Sequence, residues 1–490
     1  MPLIIPSNSI SAGGYEVDNS LRFNSGSSDN LSRTPATTGT SRQIMTFSFW
    51  TKRSGFETTN AYRLFSTFYG GGASQFWIRF ADSGEGINKI SIVSYDSGFS
   101  IQLITTQVFR DPSAWYHVVV AFDTTQATST NRVKLYINGS QVTSFSTSTY
   151  PSLNYNLQWN VTQSNQIGGN GVSGNEYYNG YMSEVCFIDG QQLDATSFGE
   201  FDEDTGIWKP IDVSGLTFGT NGFYLDFENS GSLGADASGN GNNFTVNNLT
   251  SIDQTTDTPT NNFATANPLN STLTNSNLSE GNLQFAGGSQ SVNYAFTSGT
   301  IAPSQGKWYW EVKAVDNAEI DQVGVAKMDL AQFANISNSG GLQATTYGGK
   351  GVQLANGVKV GDGSQSTYMG GFSANDILMV ALNLDSGSIY FGRNGQWSDG
   401  AGNANQTFAN AVAAFTNLTV GDAYVAAHCM RNSGGSNPGE SEYNFGNGYF
   451  GTTPVSSAEN PDDGIGIFEY TVPTGYKALC TKSINAQEYS

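Results

Sequence analysis

Hydrophobic and polar residues alternate along short runs of the chain, with turn residues between the runs. In "TFSFWTK" (46–52), Phe47 and Phe49 share one face of a strand, and Trp50 and Lys52 share the other. This period of two is typical of β-strands with one buried face. Comparable runs in the first half lie at 45–52, 63–69, 74–80, 89–95, 100–109, 114–123, 132–137 and 180–188. Their regular spacing predicts an antiparallel β-sandwich.

The same pattern starts again in the second half. Strands are predicted within 281–287, 291–299, 306–315, 321–328, 376–397, 422–430, 441–447 and 475–483. Residues 251–280 are polar, contain prolines and lack periodicity, which predicts a linker or an extended strap. The sequence therefore predicts an all-β protein with two antiparallel β-sandwich domains in tandem, at 1–250 and 281–490. One short helix is expected at 194–201, with Asp194 as its N-cap.

Two Asn-Gly pairs mark equivalent hairpins in the two halves. Asn138-Gly139 lies in "KLYINGSQV" (134–142), and Asn394-Gly395 lies in "SIYFGRNGQW" (388–397). A type I′ turn needs a positive φ at both central residues, and Asn-Gly is the strongest short signal for such a turn. Each hairpin follows a strand that ends in an aspartate, so the same three-strand meander is predicted twice.

Composition supports a folded β-protein and narrows its partners. Glycine accounts for 58 of 490 residues, aromatic residues for 12% and charged residues for only 13%, whereas disordered chains combine high charge with few aromatics. The net charge is −20 and Lys and Arg are not clustered, so no nucleic-acid partner is expected. The sequence predicts no signal peptide and no membrane insertion. Cys186, Cys429 and Cys480 are expected to be buried or free thiols.

Several motifs occur in a characteristic order in each half. The first half contains "TFSFWTKRS" (46–54), "AWYHVVVAFDTT" (114–125), "KLYINGSQV" (134–142) and "YYNGYMSEVCFIDGQQL" (177–193). With them it resembles the laminin G-like (LamG) jelly-roll domains of the concanavalin A-like lectin/glucanase superfold. The second half contains "GKWYWEVKA" (306–314), "VGVAK" (323–327), "ALNLDSGSIYFGRNGQW" (381–397) and "YNFGNGYF" (443–450). It is similar to SPRY-type sandwiches, which implies partner contacts through the loops 347–363 and 431–440.

Three further segments, 13–35, 197–210 and 236–250, resemble structural proteins of tailed bacteriophages, especially marine ones. Such proteins join the two kinds of sandwich in this order. The resemblance implies a virion protein, made in the host cytoplasm, that contacts other virion proteins and forms a homo-oligomer such as a trimer. We expect a surface appendage, tail fibre or adhesin, that binds host-surface polysaccharide non-covalently. The alternatives are a structural head-decoration or fibre-base protein that binds no sugar, and a polysaccharide depolymerase.

Candidate catalytic residues do not form a set. Glucanases of this superfold display Glu-x-Asp-x-Glu on one strand, because a retaining mechanism needs two nearby carboxyl groups. The nearest match is "EFDED" (200–204), which includes Glu200 and Asp202 but follows a predicted helical turn. We expect it to be a solvated acidic loop. His117 and His428 lie in apolar strands without a nucleophile motif and are expected to be core residues. The sequence thus predicts a protein that is not an enzyme.

One segment resembles a calcium loop. Asp236, Ser238, Asn240 and Gly241 match the first half of an EF-hand loop, but Asn247 takes the place of the bidentate glutamate at its twelfth position. A tight polar turn is expected there, and a weak Ca²⁺ site is the alternative. No other cofactor is expected.

Two tryptophans lie beside cations on strand faces that are predicted to be wet. Trp50 shares its face with Lys52, and Trp77 shares its face with Arg79. The opposite faces carry the predicted core residues Phe47, Phe49, Phe76, Ile78 and Phe80. Because sugar rings stack on aromatic faces, a glycan contact is predicted at Trp50, Lys52, Trp77 and Arg79. The alternative is that loops, the second domain or a neighbouring subunit cover these residues.

Overall fold

The structure is a computed structural model of the chain, and it describes residues 14–56, 60–69, 74–170, 176–271, 278–287, 295–316, 320–328, 341–345, 348–431 and 439–488. The chain divides into two compact units, Gly13–Thr260 and Asn261–Ser490. Both units are built from antiparallel sheets, which confirms the predicted fold class.

The first unit is formed by two large sheets. Its strands are β1 (Ser20–Phe23), β2 (Asn30–Arg33), β3 (Ile44–Arg53), β4 (Tyr62–Tyr69), β5 (Ser74–Phe80), β6 (Ile90–Asp96), β7 (Phe99–Thr105), β8 (Trp115–Asp123), β9 (Val133–Ile137), β10 (Ser140–Val142), β11 (Phe145–Thr149), β12 (Asn165–Ile167), β13 (Gly180–Asp189), β14 (Gly199–Phe201), β15 (Trp208–Pro210), β16 (Phe223–Leu225), β17 (Thr245–Asn247) and β18 (Gln254–Thr255). Sheet I has the order β10-β9-β8-β3-β13-β1-β18, with β16 beside β13. Sheet II has the order β11-β7-β6-β5-β4-β12-β2-β17, and β14 and β15 form a separate pair.

The core between sheets I and II includes the residues that alternation predicts to face inward. The fully buried members include Phe47, Phe49, Phe76, Ile78 and Phe80. The ring of Phe47 lies 5.5 Å from that of Phe76 and 5.1 Å from that of Trp159, measured between centroids. Burial of such large apolar side chains is the dominant stabilising contribution to a sandwich. The helix predicted at 194–201 is only a 3₁₀ turn, Ala195–Ser197, with Asp194 as its N-cap.

The second unit has the same design. Its strands are β19 (Leu278–Ser279), β20 (Gln284–Ala286), β21 (Ala295–Ser298), β22 (Lys307–Asp316), β23 (Ile320–Lys327), β24 (Lys350–Gln353), β25 (Val358–Gly361), β26 (Ser364–Thr367), β27 (Ile377–Asn383), β28 (Ser388–Arg393), β29 (Gln396–Ser398), β30 (Ala404–Gln406), β31 (Tyr424–Arg431), β32 (Glu440–Asn444), β33 (Tyr449–Phe450), β34 (Thr453–Pro454) and β35 (Lys477–Ala478), followed by the helix α1 (Thr481–Glu488). Sheet III has the order β19-β20-β32-β22-β27-β28-β29-β30, with β35 parallel to β22. Sheet IV has the order β21-β31-β23-β24-β25-β26, and β33 pairs with β34.

Both predicted Asn-Gly hairpins are present, and each is tied to a third strand in the same way. The φ angles are 45° and 79° in the Asn138-Gly139 turn and 47° and 82° in the Asn394-Gly395 turn. Oδ1 of Asn138 accepts a hydrogen bond from the backbone N–H of His117 in β8, and Oδ1 of Asn394 accepts one from Ile377 in β27, both at 2.8 Å. The asparagine therefore provides the turn conformation and also fastens the hairpin to the preceding strand.

The outer face of sheet III is covered by the C-terminal segment. Trp308, Trp310 and Val312 of β22 face the core of the second unit, as predicted. Tyr309 points away from that core but is also buried, with its ring 4.9 Å from that of Phe468 in an edge-to-face contact. The strand predicted at 475–483 is short, because the chain turns into α1 at Thr481.

A buried glutamate fastens this C-terminal cover. Oε1 of Glu311 accepts hydrogen bonds from the Tyr309 hydroxyl at 2.8 Å and from the Tyr470 N–H at 2.9 Å. Oε2 accepts from the Glu469 N–H at 2.9 Å and from the Asn444 amide at 3.3 Å. Burial raises the pKa of Glu311 to about 7, despite these donors.

Residues 251–280, predicted to be a linker or an extended strap, contain short regular elements in their described part. Their described part is divided between the two units, and β18 extends sheet I. Asp253 forms an ion pair with Arg22 at 3.2 Å, and Asp257 forms one with Lys52 at 2.7 Å; all four side chains are buried. These two carboxylates can be buried because each has a buried cation as its partner.

Replacing Asp257 by Ala leaves the ammonium group of Lys52 buried without this counter-charge. We expect the free energy of unfolding of the first unit to fall by about 3–5 kcal/mol, the range for breaking a buried ion pair. Asp422→Ala is the control, because Asp422 pairs with the partly exposed Lys327 and its loss should cost less than about 1 kcal/mol. Urea denaturation of each variant measures both values, and similar losses would contradict the assignment.

The stabilising effect of Glu311 is expected to depend on pH. Its pKa of about 7 in the folded state exceeds the ordinary value of 4.5, so folding favours the protonated form. This stabilisation is complete below pH 4.5 and is lost as the pH rises through 7. The difference in unfolding free energy between the wild type and Glu311→Gln should therefore decline by about 3 kcal/mol over that interval. Parallel pH profiles of the two proteins, measured by urea denaturation, would rule this out.

Candidate functional site

Trp50 and Lys52 lie on the outer face of sheet I, but this face is covered. Trp50 is only 3% exposed and Lys52 only 1%. Trp50 belongs to an apolar cluster with residues of the segment that follows β13, including Phe198, Trp208 and Phe218. The expectation of a wet face was therefore wrong for this sheet. The face around Trp50 is buried because residues 195–224 fold back over β3. Their apolar side chains follow no strand-like period, so the sequence pattern did not reveal this cover.

His117 is held beneath the same cover as a neutral side chain. Its ring is nearly parallel to that of Trp50, with the centroids 4.8 Å apart. Trp208 donates its indole N–H to Nδ1 at 2.9 Å, and Nε2 lies 2.9 Å from the Ser48 hydroxyl. An indole only donates, so Nδ1 accepts and the proton lies on Nε2. Burial lowers the pKa of His117 to about 3. The nitrogen facing Ser48 is protonated, and this serine–histidine pair therefore cannot activate the hydroxyl.

His428 is also a satisfied core residue. Nε2 lies 2.5 Å from Asp321 Oδ1, and Nδ1 lies 2.6 Å from the Tyr443 hydroxyl. All three side chains are buried, and burial raises the pKa of Tyr443 above its usual value. A cavity of about 10 Å³ lies beside His428 and Tyr443, which is room for one water molecule. The cavity is far too small for a sugar.

The acidic segment 200–204 comprises the end of β14 and the turn that follows it. Asp202 is buried, and its Oδ1 accepts from the backbone N–H of Asp204 and from both donors of Thr205. Its other oxygen lies 3.2 Å from Nζ of Lys209, which also pairs with the exposed Glu200 at 3.4 Å. The expected solvated loop is therefore only partly solvated. These hydrogen bonds assign Asp202 a structural role in the turn.

Asp236 likewise organises a turn. Oδ1 accepts from the backbone N–H groups of Tyr224 and Ser238, and Oδ2 accepts from that of Asn242. The Asn240 amide donates to the carbonyl groups of residues 219 and 222. Among the described residues, no group of three or more His, Cys, Asp or Glu side chains is placed to hold a metal ion. Calcium binding at Asp236, Ser238 and Asn240 stays a prediction.

The outer face of sheet II differs from that of sheet I in carrying polar side chains. A row of paired residues crosses seven of its strands, and we call it the polar row. It consists of Gln102, Val93, Trp77, Ser66, Gln166, Ser32 and Thr245. Gln102, Gln166 and Ser32 are half-buried, and Thr245 is exposed. Beside the row, Tyr95 and Gln75 face each other across β5 and β6 and are also half-buried.

Trp77, in the polar row, lies close to two guanidinium groups. The Cζ atoms of Arg63 and Arg79 are 4.7 and 5.1 Å from its ring. Arg63 pairs with Glu176, and Arg79 pairs with Glu85 at 2.9 Å and with Glu176 at 3.4 Å. Trp77 and Arg79 are each 7% exposed, so the exposure expected for them was wrong. A glycan contact by Trp50, Lys52, Trp77 and Arg79 stays a prediction.

Several buried polar atoms of this outer face have no hydrogen-bond partner in the described structure. They are Arg63 Nη1, Trp77 Nε1, Ser91 Oγ and Gln166 Oε1. Buried polar groups are nearly always paired, so each exception calls for an explanation. The set contains donors, an acceptor and a hydroxyl that can be either. Sequence analysis missed Arg63, Ser91 and Gln166, although alternation in 89–95 already placed Ser91 opposite the core face.

The loops expected to make partner contacts in the second unit are only partly described. The described residues of 347–363 contain β24 and β25. Residues 432–438 of the second loop lie outside the described residues. In the part of the chain that is described, no helix combines the length and apolar character needed to cross a membrane.

Residues 25–193 match the model of the concanavalin A-like lectin/glucanases superfamily (Laminin_G_3), and residues 307–433 match the SPRY domain model. None of the curated proteins matches the chain. A putative carbohydrate-binding protein from Bacteroides ovatus is 17% identical, with a TM-score of 0.30, over 49% of this chain and 58% of that one. Domains LG4-5 of mouse laminin alpha1 are 9% identical, with a TM-score of 0.30, over 89% and 90%.

The SPRY domain of human HERC1 is 14% identical to this chain, with a TM-score of 0.24, over 31% of this chain and 82% of that one. Such low TM-scores carry no functional inference. The two model matches fall one in each compact unit, at the motifs that suggested them. The first unit therefore contains a segment similar to the concanavalin A-like lectin/glucanases superfamily, and the second unit contains a segment similar to the SPRY domain.

Proposed function

We propose that this protein binds carbohydrate non-covalently through the outer face of sheet II, as a surface appendage of a bacteriophage virion. The match of the first unit to the lectin/glucanase superfamily supports a sugar ligand. The resemblance of residues 13–35, 197–210 and 236–250 to tailed-phage structural proteins supports the virion. In this role the protein is a tail fibre or adhesin that attaches to polysaccharide of the host surface.

The observation that carries the proposal is the set of unpartnered polar atoms on this face. Trp77 Nε1 and Arg63 Nη1 are donors, whereas Gln166 Oε1 is an acceptor. A sugar hydroxyl both donates and accepts, so hydroxyl-rich ligands can satisfy all of these atoms. These atoms are buried in the free protein, so glycan binding must include small side-chain movements that expose them.

The polar row also has the dimensions of a polymer site. Seven neighbouring strands contribute one residue each, and strands in a sheet are separated by about 4.8 Å. The row is therefore about 29 Å long, far longer than one sugar ring. An extended polysaccharide chain lying along the row would contact its half-buried and exposed members directly, and would reach the buried Val93, Trp77 and Ser66 only after the side-chain movements described above. Many copies on one virion would raise the overall avidity well above the affinity of a single face.

The second unit is proposed to contact other virion proteins. Its sheet III is covered by its own C-terminal segment, so its contacts are assigned to loops such as the described part of 347–363. Loops on a rigid sandwich are suited to partner recognition.

Removing the two amides at the half-buried positions of the row tests the glycan site. Gln102→Ala/Gln166→Ala should weaken binding to extracted host polysaccharide by about tenfold, since each lost hydrogen bond contributes about 0.5–1.5 kcal/mol. Gln141→Ala/Gln396→Ala is the matched control, because both glutamines are exposed and lie outside sheet II. Isothermal titration calorimetry gives the affinities. Absence of binding by well-folded wild type would favour the purely structural virion role.

The virion location has its own test. We expect antibodies against the purified chain to label intact phage particles at their tail or at another surface appendage in immunogold electron microscopy. A particle lacking the gene serves as the control. If the particles are unlabelled and mass spectrometry of the particles does not detect the chain, the proposal that it is a virion protein is wrong.

A further inference from the structure

The hairpin between β6 and β7 presents an aromatic pair to solvent. Phe99 is 50% exposed, and its ring stands edge-on to the half-buried Tyr95 with the centroids 5.3 Å apart. Burying a phenylalanine ring is favourable by about 1.5–3 kcal/mol, so a ligand that covers Phe99 gains from this contact. A Cβ atom added to Gly98 at the tip would meet no atom within 4 Å. Open space therefore lies at the tip of the hairpin.

An exposed carboxylate lies at the tip of the same hairpin. The Asp96 carboxylate accepts from the Ser74 hydroxyl at 2.9 Å and lies 3.4 Å from the amide of Gln158, so it is turned toward β5. The backbone N–H of Asp96 donates to the carbonyl group of Gly98 at 2.9 Å, which closes the tip of the hairpin. The carboxylate keeps lone pairs for further donors.

The hairpin is continuous with the face described above. Tyr95 is the partner of Gln75 in β5. This pair lies two residues along the strands from the pair Val93 and Trp77, and therefore on the same side of sheet II. A ligand chain that lies along the polar row can therefore reach Phe99 without leaving this sheet.

From this arrangement we infer that the tip formed by Tyr95, Asp96 and Phe99 is a binding subsite for an uncharged sugar ring. The inference rests on the proposed function. The ring of Phe99 stacks on the C–H face of the sugar, and Asp96 accepts hydrogen bonds from neighbouring hydroxyl groups. The ligand class is a neutral, hydroxyl-rich polysaccharide rather than a sulfated or uronic-acid polymer.

Charge is the reason for this choice of ligand. The chain has a net charge of −20, and Asp96 would repel a sulfate or a carboxylate at the subsite. The cations of the adjoining face are already neutralised, because Arg63 and Arg79 pair with Glu85 and Glu176. The acceptor Gln166 Oε1 likewise needs a donor, which an anionic group cannot supply.

The subsite is tested with Phe99→Ala in the full-length chain. Its control is Phe201→Ala, because Phe201 is similarly exposed, at 53%, but packs on Trp208 on the covered side of the first unit. The glycan array carries each polysaccharide both in its neutral and in its sulfated form. We expect Phe99→Ala to bind the preferred neutral glycan roughly five- to tenfold more weakly than the wild type does. Phe201→Ala should bind it like the wild type. Equal effects of the two substitutions would overturn the subsite while leaving glycan binding intact.

The ligand class is tested with the same array and with Asp96→Asn. Wild type should bind the neutral member of each pair, with an affinity that changes little between 50 and about 500 mM NaCl, because screening acts on charged partners. Asp96→Asn should narrow the preference for the neutral over the sulfated form. Preference for sulfated glycans that declines with salt would overturn the inference alone. No binding to any glycan by the wild type would overturn the proposed function as well.

Discussion

Each sheet of a β-sandwich has an inner face that the core buries and an outer face that the chain must either cover or leave wet. This constraint determines most of what distinguishes one sheet of this protein from another. Sheet I is covered by the segment that follows β13, and sheet III is covered by the C-terminal segment. The outer face of sheet II carries paired cations, amides and hydroxyls; Arg63, Trp77 and Arg79 are buried there, whereas Gln102 and Gln166 are half-buried. This polar composition is the basis for the hydroxylated ligand that we propose.

Covering an outer face has consequences for ionisable groups. Lys52 and His117 lie on strand positions that would be wet in an uncovered sheet, but both are buried. Lys52 forms an ion pair with Asp257, whereas burial lowers the pKa of His117 to about 3 and keeps it neutral. Glu311 under the other cover has a raised pKa for the same reason. The segments that cover sheets I and III therefore bury strand positions that would otherwise be exposed. A charged side chain at such a position needs a counter-charge or hydrogen-bond partners, or else its pKa shifts toward the neutral form.

The inner faces could be predicted from sequence, because alternation is a local property of each strand. Phe47, Phe76 and Trp308 are buried as expected. The two Asn-Gly turns also form where the sequence predicts them. The outer faces could not be predicted, because covering them depends on contacts between distant segments. Trp50 is covered by Trp208, which lies 158 positions later in the sequence and in no periodic run. The pairing of Asp257 with Lys52 has the same cause.

Gly139 takes part both in a local turn and in a contact with a segment that is distant in the sequence. Gly139 completes the type I′ turn with a φ of 79°, and a Cβ atom at this position would lie 2.4 Å from the ring of Trp208. The absence of a side chain at Gly139 therefore lets the ring of Trp208 pack directly against the turn. Since contacts that are close in sequence form faster than distant ones, we expect the hairpin to close before Trp208 docks on it. A turn that sequence analysis treats only as a connection between strands thus also determines how closely a distant segment can pack on it.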